Sequence, residues 1–176
     1  MSVESTENRR GFMTAALAVI VGAVVGTVPL LAAVFMFLDP LRKKPVSRVV
    51  RVALASDVPE DGSPKQFTVF GDREDAWNRF TNQPIGAVYL RKLSDGQIEA
   101  LNVVCPHAGC FVSAQGGVYI CPCHNSSFNY DGSRTDPEAS PAARDLDTLA
   151  VEIRNGNEIW IDFKNFRAGT PEKIAT

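Results

Sequence analysis

Apolar and polar residues fall into three regimes along this chain. Residues 1–10 are mostly polar and end on the pair Arg9-Arg10. From Phe12 to Leu38, a run of 27 residues, no side chain is charged and almost all are apolar. As a helix this run would be about 40 Å long, whereas a bilayer core needs only about 20 apolar residues. It predicts a transmembrane helix over 11–38, preceded by a short disordered tail over 1–10. The rest of the chain is too small to enclose a helix that is apolar on every side. The run is also longer than the roughly 7–15 residues of a cleaved signal, and no clear A-x-A site follows it. A retained anchor is therefore expected. Asp39–Pro45, with two prolines and three basic residues, reads as a neck beside lipid headgroups, where Pro40 and Pro45 stop the helix.

Beyond the neck the period shortens to two. Val46–Leu54, Gln66–Phe70, Ala87–Arg91, Ile98–Val104, Val118–Ile120, Leu149–Arg154 and Glu158–Phe163 read as short strands rich in β-branched and aromatic residues. Ser94-Asp95-Gly96, Gln115-Gly116-Gly117 and Asn155-Gly156-Asn157 supply turns between them. Arg73–Thr81 reads as a helical turn or two. The predicted fold class is all-β, an antiparallel sandwich or barrel over 46–176, plus the one N-terminal transmembrane helix.

Charge narrows the partners. The whole chain has a net charge of −2, but Leu54–Thr176 holds 11 Lys/Arg against 17 Asp/Glu, a net of −6. An acidic domain excludes nucleic acid as a natural partner and suits a basic redox partner. For topology the signals conflict. Arg9 and Arg10 precede the apolar run, while Arg42, Lys43, Lys44, Arg48 and Arg51 follow it, so the positive-inside count alone leaves the domain cytoplasmic. However, Asn8-Arg9-Arg10-Gly11-Phe12-Met13 resembles a twin-arginine export signal. The cysteine pattern also calls for an oxidising compartment. These two arguments place the domain on the extracytoplasmic side of a bacterial cytoplasmic membrane, behind a single span.

All four cysteines and both histidines lie within twenty residues. One segment reads Cys105-Pro106-His107-Ala108-Gly109-Cys110, the other Cys121-Pro122-Cys123-His124-Asn125-Ser126. The ten residues between them hold a Gly-Gly turn and the apolar Val118-Tyr119-Ile120, which brings the two segments side by side as hairpin tips. Two structural disulfides would account for the cysteines but leave the histidines idle. A zinc site would use both residue types, but the spacing departs from common zinc forms and six candidates exceed the usual four ligands.

The two segments resemble the cluster-binding loops of Rieske iron–sulfur proteins, in which Cys-x-His-x-x-Cys is followed by Cys-x-Cys-His. The resemblance implies a Rieske-type antiparallel fold carrying one [2Fe–2S] cluster. It makes Cys105 and Cys121 the thiolate ligands of one iron and His107 and His124 the imidazole ligands of the other. It also implies a disulfide between Cys110 and Cys123, a feature of the quinol-oxidising branch and of arsenite oxidase small subunits. Ser126 matches the family serine that donates its hydroxyl to a bridging sulfide. Phe128 falls where many respiratory members have a tyrosine bonded to a ligand sulfur, so a lower potential, suited to menaquinol, is expected. Asn125 replaces a usual glycine. Ser140-Pro141-Ala142-Ala143-Arg144-Asp145-Leu146 resembles the proline-bearing cover loop, with Ser140 for Gly and Ala143 for Pro making it more flexible.

By that resemblance the chain is the iron–sulfur subunit of a bacterial cytochrome bc-type quinol–cytochrome c oxidoreductase. Two thiolates on an oxidised +2 core leave the centre neutral, which raises its potential into a range of about −150 to +300 mV. The implied partners are cytochrome b, a c-type cytochrome, quinol (menaquinol or ubiquinol) and membrane lipid. His124, with His107 second, is implied as the group that takes the quinol proton. The small subunit of an arsenite oxidase and a stand-alone membrane-anchored electron carrier are the alternatives.

Overall fold

The computed structural model describes residues 4–42, 48–74 and 77–176. The chain divides into two units, Met1–Lys44 and Pro45–Thr176.

The first unit is one helix, α1, over Glu4–Arg42. Its segment Arg9–Asp39 is long and apolar enough to cross a membrane, with a mean hydropathy of 2.5. Large apolar side chains such as Phe12, Val25, Leu31 and Phe37 are exposed around it, as a lipid-facing surface requires. The hydroxyls of Thr14 and Thr27 donate to the carbonyls of Arg10 and Ala23, four residues back, so the two polar side chains of the apolar stretch are satisfied within the helix. The helix exceeds the expected 11–38 at both ends. Arg9 and Arg10 lie in its early turns rather than in a disordered tail, and Pro40 does not stop it. A proline gives up its own N–H bond and crowds the carbonyl four residues back, which weakens or kinks a helix without always ending it. Lys43, Lys44 and Pro45 of the expected neck lie outside the described residues, as do Val46 and Ser47 of the first expected strand.

Among the described residues, the second unit holds ten strands: β1 Arg48–Leu54, β2 Lys65–Glu74, β3 Arg79–Lys92, β4 Ile98–Asn102, β5 Ser113–Gln115, β6 Val118–Ile120, β7 Ser127–Asn129, β8 Thr148–Leu149, β9 Val151–Arg154 and β10 Glu158–Phe163. They form three antiparallel sheets ordered β1-β10-β9, β2-β3-β4-β8 and β5-β6-β7. The fold is therefore all-β, as the residue pattern predicts.

Period-2 alternation explains why the four-stranded sheet is covered on both faces. Val88 and Leu90 of β3, with Ala100 of β4, enter one core with Ile159, Ile161 and Phe163 of β10. Their neighbours Ala87, Tyr89 and Leu101 point the other way, into a second core with Tyr119, Phe128, Cys105 and Cys121. A strand buried on both faces reads as a continuous apolar run, as Gly86–Leu90 does. Gly86 is required by the first core. A Cβ there would collide with Cζ of Phe163, so the ring packs directly on bare backbone.

Two expectations are corrected. Arg73–Thr81 is not helical: β2 runs through Glu74 and β3 starts at Arg79, with Glu74 paired to Arg79 in a long hairpin. Cross-strand bonding, including the Arg79–Asp72 ion pair at 2.8 Å, outweighs the weak local helix signal. Asp75 and Ala76 lie outside the described residues. Leu149–Arg154 is not one strand, because β8 pairs with β4 while β9 pairs with β10. The chain changes sheets at Ala150, whose carbonyl accepts the amide of Asp162 at 3.0 Å.

Candidate metal centre

Both Cys/His segments are hairpin tips, and they are built alike. The first leaves β4 through Val103-Val104 and is closed at its base by a bridge between Val104 and Phe111. The second is the tip of the β6–β7 hairpin, closed by the pairing of Ile120 with Ser127. In each, the first cysteine is bonded twice. Its carbonyl accepts the amide four residues on (Gly109 at 3.0 Å, Asn125 at 3.1 Å). Its amide donates to the carbonyl five residues on (Cys110 at 2.7 Å, Ser126 at 2.8 Å). The fifth position of each tip is left-handed, with φ of +81° at Gly109 and +62° at Asn125. Glycine takes that conformation freely and asparagine better than most residues, which accounts for Asn125 in a glycine position.

This shared turn carries its first residues inward. Cys105 and Cys121 are buried, unpaired thiols within the second core. Burial pushes the Cys105 thiol above its ordinary value, partly offset by a backbone hydrogen bond from His107. A thiol held so is inert unless a cation or metal lowers its proton affinity. The rings of His107 and His124 meet edge to face with centroids 4.7 Å apart. His107 is half-buried and His124 exposed. Cys110 and Cys123 form a disulfide that ties one tip to the other across 6.6 Å between Cα atoms. The sulfurs of Cys110, Cys121 and Cys123 lie within 4.8 Å of one another. That trio is no ligand set, because two of its sulfurs are bonded together and neither is a thiolate.

The residues fit a cluster with mixed ligands. Nδ1 of His107 is buried and finds no protein hydrogen-bond partner, and Oγ of Ser126 is buried with none beyond the neighbouring Cys105 thiol, whose proton affinity it lowers. An orphaned imidazole nitrogen beside buried thiols is what a metal-ligating histidine presents. A serine hydroxyl buried against them suits a donor to a sulfide. Phe128 is fully buried in the same core, and Tyr130 packs on Tyr119 at 5.3 Å. The phenol of Tyr119 is held above its usual proton affinity by burial.

The segment Ser140–Leu146 is pinned at several points. Oγ of Ser140 accepts the amide of Ala142 at 3.3 Å. Arg134 donates to the carbonyl of Ala142 at 3.1 Å and to Asp145 at 3.0 Å. Arg144 grips Asp147 through two bonds of 3.0 and 2.7 Å. The expected flexibility from Ser140 and Ala143 is thus opposed by two arginines. Their part was missed because an Arg in a charged stretch such as Arg144-Asp145 reads as surface. The signal available was Asp147 three residues after Arg144, close enough for the two to pair.

The family model described as Rieske [2Fe-2S] domain matches residues 48–150. The chain belongs to the Rieske [2Fe–2S] family, whose domain binds a [2Fe–2S] cluster. Its relatives include the menaquinol:cytochrome c reductase iron-sulfur subunit of Geobacillus thermodenitrificans, 28% identical over 69% of this chain and 72% of the relative. The Bacillus subtilis subunit of the same name is 26% identical over 85% of this chain and 88% of the relative. The cytochrome b6-f complex iron-sulfur subunit of Chlorobaculum tepidum is 27% identical over 84% and 72%. Among solved structures, the plasma membrane Rieske protein PetC3 of Synechocystis PCC 6803 is 29% identical, covering 63% of this chain and 97% of that one with a TM-score of 0.45.

Proposed function

We propose that this chain is the iron–sulfur subunit of a quinol–cytochrome c oxidoreductase of the cytochrome bc type. In it, Cys105 and Cys121 bind one iron and His107 and His124 the other, and Ser126 donates to a sulfide. The observation that carries the reading is the pair of matched tips, which offer two buried thiols and two imidazoles, one half-buried and one exposed. The similarity to menaquinol:cytochrome c reductase iron-sulfur subunits supports the subunit reading.

When bound, a [2Fe–2S] cluster takes up and releases one electron at a time. The chain's own groups do the rest. The buried thiols exclude water from one side of the site, and the disulfide holds the tips together. His124, exposed at its tip, accepts the hydrogen bond of a quinol hydroxyl and then its proton; His107 is the second candidate. Held by these four residues, the cluster would pass one quinol electron to a c-type cytochrome, and cytochrome b would form the quinol site and accept the second electron.

The proposed organisation follows. Residues 1–10 carry the twin-arginine-like signal, 11–38 span the membrane, 39–45 link, and 46–176 form the cluster domain on the extracytoplasmic face. The test is purification of the intact chain from gently solubilised membranes. Haem b and haem c should co-purify, and menaquinol should reduce the haem c. Replacement of His124 by Ala should abolish that reduction. A chain that emerges alone, or beside molybdenum, overturns the proposal.

A further inference from the structure

The thirteen residues after β10 lie beyond the matched family region, which ends at residue 150. They double back as a small hairpin. Phe166 bridges to Ala175, the amide of Arg167 donates to Ile174 at 2.8 Å, and that of Thr176 to Asn165 at 3.0 Å. The tip of this hairpin reaches the first cysteine tip. The amide of Gly169 donates to the carbonyl of Pro106 at 2.8 Å. A Cβ on Gly169 would lie 3.6 Å from the carbonyl of His107, and its φ of +74° disfavours any other residue. The hairpin is held in turn by Arg144, which donates to the carbonyl of Thr170 at 2.6 Å while forked on Asp147. The Arg144 and Asp147 side chains are only 10% and 5% exposed. Asp147 is tied to β4 through the bond from the Asn102 amide to its carbonyl at 2.8 Å. Lys173 secures the other arm by donating to the carbonyl of Thr148 at 2.6 Å.

The two tips are therefore alike inside but not outside. Among the described residues, no hydrogen bond of the second tip runs to the C-terminal hairpin.

We propose that Arg144 is a positioning residue that locks the C-terminal hairpin onto the Pro106–His107 backbone and so fixes the first tip, and with it the His107 ligand. This rests on the ligand assignment above. The fork matters more than the charge. A guanidinium can hold both Asp147 oxygens and the Thr170 carbonyl at once, which a single ammonium cannot do in the same planar geometry.

The test uses the full chain purified in detergent, with Arg144→Lys, Arg144→Gln and a chain ending at Arg167. Amide hydrogen exchange and the electron paramagnetic resonance spectrum of the reduced protein are read together. Exchange at Gly109, in the first tip, should accelerate about ten-fold or more in all three, the effect expected for losing charge-assisted hydrogen bonds. Asn125, at the equivalent place in the second tip, should keep its wild-type rate. The resonance should shift in the same variants. Equal acceleration at both tips would mean general loosening and would overturn the proposal, as would no acceleration at either. A Lys variant that matches wild type while the Gln variant does not would assign the effect to charge and likewise overturn it. Failure of the ligand assignment is separate: it would show as the absence of a mixed nitrogen/sulfur signal from the wild-type protein itself.

Discussion

His107 and His124 meet edge to face, with ring planes at 81° and centroids 4.7 Å apart, but in unlike surroundings. Nδ1 of His107 is buried and orphaned, whereas the His124 ring is exposed at its tip. Under the proposed ligand assignment the pair divides its work: one ring faces inward as a ligand, and the other offers a ligand nitrogen and also reaches the outside.

The ligand assignment predicts the same spectroscopic consequence at both positions. His124→Ala and His107→Ala should each abolish the mixed-ligand resonance signal, and His124→Ala also removes the more exposed of the two rings. Replacing both by Cys converts the ligand set to four thiolates. If a cluster forms, its potential should fall toward the plant-ferredoxin range of about −400 mV. Redox titration followed by electron paramagnetic resonance reads this directly. An unchanged spectrum in either alanine variant would refute the ligand assignment.

The Cys110–Cys123 bond closes a loop with a sequence separation of 13 residues. Loop-closure entropy assigns such a bond about 3 kcal/mol. The Cys110→Ser/Cys123→Ser variant should be destabilised by that order in urea. It should also lose iron faster than wild type under a chelator, because its tips are no longer joined. A variant equally stable and equally slow to lose iron would show that hairpin hydrogen bonds alone hold the tips.

The parts of the molecule that were legible in its sequence are those governed by local rules. The run Phe12–Leu38 announced a helix because lipid-compatible composition admits little else. The turns at Gly116-Gly117 and Asn155-Gly156 were legible because they need left-handed φ, which both pairs adopt. The Cys110–Cys123 pairing followed from resemblance and is present. The misses depend on distant contacts. Ser113–Gln115 and Ser127–Asn129 carry no strand signal of their own, and they extend only because Val118–Ile120 lies between them. The expectation of a helix over Arg73–Thr81 failed likewise, since only pairing across the β2–β3 hairpin makes residues near Arg73 and Arg79 extended. The hold of Gly169 on Pro106 has no sequence signature at all, being one backbone bond between residues 63 positions apart.

The turn after β7 gives a pH prediction. The carboxylate of Asp131 accepts the amide of Ser133 at 2.9 Å and its hydroxyl at 2.5 Å. These bonds, the hydroxyl's foremost, lower its proton affinity below the usual value of 3.8. A carboxyl depressed on folding adds stability that is present above its unfolded value and lost as pH falls through the lower folded value. Asp131→Asn keeps an acceptor oxygen but cannot titrate. The stability difference between wild type and variant should therefore be constant at neutral pH and shrink below about pH 4. The group is largely exposed, so the change will be small. Paired urea melts across that range would measure it, and a difference that grows on acidification would contradict the account.

Phe128 gives the sharpest test of how the core tunes the site. It is fully buried among Cys105, Cys121 and Tyr119, on a strand that pairs it with Tyr119. Phe128→Tyr adds one hydroxyl to that core, and two outcomes are physically available. If the hydroxyl reaches a ligand sulfur, it withdraws charge from the reduced state and the potential rises. If it reaches nothing, it is a buried unpaired donor costing about 1–3 kcal/mol of stability. The buried Oγ of Ser126, which lowers the proton affinity of the Cys105 thiol, shows that this pocket already sets one hydroxyl against a proposed ligand sulfur. The expected result is therefore a higher potential with stability little changed. A Tyr variant with the wild-type potential and a clear loss of stability would mean that the Phe128 ring points away from the sulfurs. In that case the low potential expected for this chain would need another cause.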